Sequence, residues 1–133
     1  MSIVFNKKYK LDRSENFDEF LKELGVNYLI RKMANSTTST VELVKLDDET
    51  YSFNTTSTFR SQELKFKLNE EFTEKRMDGA EVKSTITFEG NKMIQRQKGD
   101  KEIVLERVFT QDELILTCTV NNVVAKRWFK AVT

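Results

Sequence analysis

The chain has 133 residues, 38% of them apolar and 32% charged, and its 22 Lys and Arg nearly balance 21 Asp and Glu. That length suits one domain, residues 1-133, with no obvious point of division. A net charge of +1 argues against a nucleic acid partner, which needs a concentrated basic surface.

Histidine and proline are absent, and Cys118 is the one cysteine. A zinc site, a Cys–His nucleophile and an internal disulfide therefore have no material. No carboxylate pair stands out for acid–base work, so the expectation is a protein with no metal, no cofactor and no enzymatic role. No run nears the roughly 20 apolar residues needed to span a bilayer. The N-terminal stretch reaches Lys7 and Lys8 too soon to hold a signal-peptide core, which makes the cytoplasm the expected location.

Residues 5–11 read as a first strand. Phe17, Phe20, Leu21 and Leu24 follow at i, i+3, i+4 and i+7, one apolar stripe of a helix. Asn16 stands at its cap, with Glu19 in the capping-box position, and Gly25 supplies the stop. A second short helix is expected over 27–35, capped by Asn27, with Ile30, Met33 and Ala34 as its buried side. Two helices this short need a core to lie on.

Beyond residue 38, β-branched and aromatic segments alternate with turn residues every 8–12 positions, the mark of an antiparallel meander. Nine strands are expected there, with a break at residues 57–61, which makes ten with the first. A meander of this length gains by closing, since closure removes exposed edges. The resulting expectation is all-β: a ten-stranded antiparallel up-and-down β-barrel with a helix–turn–helix lid between its first two strands.

Alternation orients the late strands. Lys126 and Lys130 mark the outside of the last one, so Val123, Ala125, Arg127, Phe129 and Ala131 face inward. Glu102 and Glu106 do the same for 102–109, leaving Ile103, Leu105, Arg107 and Phe109 inside. Phe66, Phe88, Gln95 and Gln97 are inward on their own strands, and Cys118 shares a face with Leu114, Leu116 and Val120. Two inward arginines are expensive, since an unpaired buried ion costs several kcal/mol. An internal salt bridge, best made by Glu74, would neutralise them. So would a ligand carboxylate, whose two oxygens match the guanidinium fork.

The run from Lys7 to Leu24 resembles the N-terminal signature of the intracellular fatty-acid-binding family: an aromatic on the first strand (Tyr9), a leucine two on (Leu11), then Asn16-Phe17-Asp18 opening a helix. The segments 25–33, 57–60, 68–72, 82–86 and 97–100 resemble later parts of that family in order. The resemblance implies a cavity for a fatty acid or related carboxylate lipid. It implies a head-group site made by Arg107 and by Arg127 with Phe129, the last standing where the family carries tyrosine.

It also implies a cavity lined by Phe17, Phe20, Phe66, Phe88, Gln97, Leu105, Leu116 and Cys118, and a portal formed by Leu29, Met33, Phe59 and Met77. Asn6, Asn27, Asn69 and Asn122 stand where relatives often have glycine, and asparagine tolerates left-handed backbone. The implied activity is reversible binding and transport of a long-chain fatty acid by a monomer that touches membranes transiently. A retinoid acid or another acidic lipid is the alternative cargo, and a membrane-docking structural barrel is the alternative role. For that role, basic residues from Lys7 to Lys32 are interleaved with acidic ones, the pattern of a solvated face.

Overall fold

A computed structural model describes residues 2–76 and 79–132. Its elements are β1 (Lys8–Glu15), α1 (Phe17–Glu23), α2 (Tyr28–Ser36), β2 (Thr40–Lys45), β3 (Thr50–Thr56), β4 (Ser61–Lys67), β5 (Phe72–Lys75), β6 (Glu81–Glu89), β7 (Lys92–Lys98), β8 (Glu102–Phe109), β9 (Glu113–Val120) and β10 (Val123–Ala131). Hydrogen-bonded neighbours follow the order β4-β3-β2-β1-β10-β9-β8-β7-β6-β5. The meander thus closes through β1 and β10, and the two sheet edges, β4 and β5, face one another across an unpaired seam. This is the expected ten-stranded barrel with two helices between its first two strands.

The first strand begins and ends later than its sequence pattern suggested. The register against β10 shifts between Leu11 and Arg13, and pairing then continues through Ser14↔Arg127 to Glu15↔Lys126. A bulge lets a strand bend while keeping its partner, so β1 runs directly into α1.

Asn16 does precede α1, but its backbone is left-handed (φ 62) and its side chain makes no cap hydrogen bond. The amide Nδ2 instead donates to the Val124 carbonyl at 3.0 Å, tying the helix start to β10. The other end of α1 is held by Lys101, which donates to the Glu23 carbonyl, and by Asn121, which donates to Glu23 Oε2 at 2.7 Å. Helix α2 is capped as expected, Asn27 Oδ1 accepting from Ile30 N at 3.0 Å. It is tied to α1 through Asp18, which receives Arg31 Nε at 3.1 Å and Asn35 Nδ2 at 3.0 Å. Ala34 is its buried residue and Ile30 is partly buried, whereas Met33 is 44% exposed. The expected buried side is therefore narrower than three residues, because α2 packs on α1 rather than deep against the sheet.

Of the asparagines expected in left-handed positions, Asn6 (φ 59) and Asn69 (φ 63) adopt them. Asn27 does not, since a helix cap needs extended backbone (φ −68). In the last turn the left-handed residue is Asn121 (φ 52) rather than Asn122.

Turns of a meander alternate between the two barrel ends. The lid is pinned to the β7–β8 and β9–β10 turns, so the β2–β3, β4–β5 and β6–β7 connections lie at the opposite end. There Phe5, Tyr51, Phe66 and Phe88 form an aromatic plug. Tyr51 stacks on Phe66 at 5.7 Å and meets Phe88 edge-on at 5.1 Å, and Phe5 stacks on Tyr51 at 5.8 Å.

Candidate functional site

Between plug and lid lies a cavity of about 260 Å³. Phe17, Phe20 and Leu21 of α1 roof it, and alternate residues of the barrel strands form its walls. Arg107 and Arg127 both point into it, as alternation required. They stand in one row of the sheet, because each is registered opposite Leu116 on the intervening β9. Two strand spacings put their Cα atoms about 10 Å apart, a gap that two long side chains can close over a single small group.

Their local partners differ. Arg107, 9% exposed, donates from Nη1 to Gln95 Oε1 at 2.9 Å and lies 4.4 Å from the centre of the Phe53 ring. Arg127 donates from Nε to Ser14 Oγ at 2.9 Å, and its guanidinium rests 3.9 Å from the Phe17 ring centre. Burial lowers the pKa of both groups, Arg127 to about 10, while the nearby Cys118 thiol acts in the opposite sense. At neutral pH Arg127 stays charged. Burial pushes Cys118 itself up to about 11, against the pull of both arginines, so the thiol is protonated and inert at neutral pH.

The internal salt bridge left open by the sequence does not form. Glu74 Oε1 is taken up by Ser84 Oγ, by Gln95 Nε2 and, at 2.9 Å, by Gln97 Nε2. Its link to Arg107 runs through the Gln95 amide. Among the described residues, neither arginine has a carboxylate within ion-pair distance. The result is a cationic row set in a largely apolar chamber, complementary to an amphiphile with an anionic head.

Phe17, Phe20, Gln97, Leu105, Leu116, Cys118 and Phe129 are on the cavity wall, and Phe59 lines it near the β3–β4 turn. Phe66 and Phe88 are not. Both turn inward, yet at their level the barrel is filled by the aromatic plug, so inward there means core. Leu29 (71% exposed) and Met33 sit on the outer side of α2 and do not line the cavity. Met77 lies outside the described residues. Ser14 and Phe53, which orient the arginines, had no sequence signal of their own. Ser14 meets Arg127 only because of the β1 bulge, and Phe53 meets Arg107 across the barrel.

The sequence model of the lipocalin / cytosolic fatty-acid binding protein family matches residues 7–132. The chain belongs to that family. It is 47% identical over 129 residues to a fatty acid-binding protein of Tyrophagus putrescentiae, with 96% of this chain and 98% of the relative covered. A crystal structure of a fatty acid-binding protein from brain tissue of Drosophila melanogaster superposes with a TM-score of 0.91 at 54% identity, covering 96% of this chain and 98% of that one. A Schistosoma mansoni fatty acid binding protein in complex with arachidonic acid superposes with a TM-score of 0.92 at 35% identity, covering 97% and 96%.

Proposed function

We propose that this protein reversibly binds a long-chain fatty acid in its internal cavity and carries it within the cell. The carboxylate would lie over Leu116 between Arg107 and Arg127, with the acyl chain against Phe17, Phe20, Leu105 and Phe129. The observation that carries this reading is the pair of inward arginines that have no carboxylate partner among the described residues. Burial of the tail contributes most of the affinity, roughly 0.8 kcal/mol per buried CH₂, while the arginines select the head group and its direction.

Family membership supports a carrier rather than a catalyst, and the fatty acid named for its relatives supports the cargo. We read the carrier as a cytosolic monomer that meets membranes transiently. The exposed Tyr28, Leu29 and Met33 of α2, on the outer side of the lid that a ligand must pass, support that contact. Native mass spectrometry of gently purified protein, followed by extraction of the bound lipid, tests the reading. One long-chain acid per chain is the expected result, and a neutral lipid as the bound species would contradict it.

A further inference from the structure

The basic residues of the cavity wall are not confined to the carboxylate row. Arg60, Lys75 and Arg76 also line the chamber, where the β3–β4 and β5–β6 turns meet at the lid end. Among the described residues the one carboxylate on that wall is Glu74, already occupied by three donors.

Arg60 is firmly placed. Ser57 N and Ser57 Oγ both donate to the Arg60 carbonyl, at 2.9 and 2.7 Å, and Arg60 N donates back to Ser57 Oγ at 2.9 Å. Its side chain crosses the unpaired β4–β5 seam, where Nη2 donates to the Lys75 carbonyl at 3.3 Å. That contact is long and uses one of five N–H groups. Among the described residues Arg60 has no carboxylate partner.

The two cationic zones are separated along the barrel. β8 starts at the lid end with Glu102, and Arg107 lies about 17 Å of strand further down. A single carboxylate cannot satisfy both zones, whereas an extended chain with an acidic group at each end can.

We propose that Arg60, on a rim shared with Lys75 and Arg76, forms a second anion subsite, and that the protein accepts long-chain lipids carrying an acidic group at both ends, such as α,ω-dicarboxylates. The inner carboxylate would sit between Arg107 and Arg127 and the outer one against Arg60. In a chamber without the outer cation, the second carboxylate would have to shed water unpaired, and the diacid would be rejected. This inference rests on the carrier reading above.

The test is calorimetric titration of hexadecanedioic acid and of palmitic acid at pH 8, with wild type, Arg60→Gln and Arg60→Lys. The turn at Arg60 is held by backbone and Ser57 atoms, so these variants leave its anchoring intact. Wild type is expected to bind the diacid at least as tightly as palmitic acid. Arg60→Gln is expected to weaken the diacid about tenfold and palmitic acid by roughly twofold at most, the loss of one charge-assisted contact. Arg60→Lys should retain most of the diacid affinity. Palmitic acid binding with the diacid rejected, or equal losses for both acids in Arg60→Gln, would overturn the second subsite alone. Failure of wild type to bind either acid would overturn the carrier reading as well.

Discussion

The guanidinium of Arg127 lies over the ring of Phe17, 3.9 Å from its centre, so the first residue of the lid helix also supports one arginine of the proposed head-group site. Lid position and arginine orientation are thereby coupled. Phe17→Leu keeps most of the apolar bulk while removing the aromatic face, a contact worth about 0.5–2 kcal/mol. The expected outcome is a stability loss of about that size in urea unfolding, together with weaker palmitic acid binding and unchanged hexadecanol binding. Parallel changes for acid and alcohol would show that Phe17 only packs.

Phe129 occupies the wall position at which the family resemblance places a tyrosine, and it is 3% exposed. Phe129→Tyr adds a hydroxyl donor to the proposed carboxylate region. One such hydrogen bond is worth about 0.5–1.5 kcal/mol, so palmitic acid should bind roughly two- to tenfold more tightly. Calorimetry reads this directly. Weaker binding would place the carboxylate out of reach of residue 129.

Cys118 gives the molecule a pH dependence. Its pKa rises on folding from 9.0 to about 11. Between those values the folded chain keeps a proton that the unfolded chain has lost. The contribution is complete below pH 9 and is lost as the pH climbs through 11. By pH 10 the loss should be about 1 kcal/mol. Arg127 works in the opposite sense, but only from about pH 10 upward, because its pKa is lowered on folding. Urea unfolding at pH 8 and pH 10 should show the drop in wild type and a smaller one in Cys118→Ala. An identical drop in the variant would assign it elsewhere.

Phe66 separates stability from binding. It is buried in the plug, stacked on Tyr51 and edge-on to Phe88, and is absent from the cavity wall. Phe66→Ala should cost about 3–5 kcal/mol, the usual penalty for emptying such a site. Palmitic acid affinity of the folded protein should change little. A large loss of affinity with modest destabilisation would return Phe66 to the ligand.

Much of the barrel was legible in the chain because its strands report their own faces. Lys126 and Lys130 on β10, and Glu102 and Glu106 on β8, were enough to send Arg127 and Arg107 inward. What alternation cannot give is height along the barrel, and so Phe66 and Phe88 were read as cavity when they are plug. Nor does it give register across a bulge, which is why the Ser14–Arg127 contact was invisible. Glu74 is taken up by three neighbouring donors at once rather than by an arginine, and that is set by the β5–β6–β7 registers. Asn16 shows a further limit: a residue with capping chemistry spends its amide on Val124 because the chain enters α1 through a left-handed turn.

The central claim is that Arg107 and Arg127 form the anchor for a ligand carboxylate. It is tested most directly by titrating palmitic acid and hexadecanol against wild type, Arg107→Ala and Arg127→Ala. The two ligands share a tail and differ in the charge of the head. Each variant should lose affinity for the acid by about 1.5–3 kcal/mol, the worth of a hydrogen bond to a charged group, with much smaller losses for the alcohol. Equal losses for acid and alcohol would contradict the anchor and leave the arginines as polar residues of the wall.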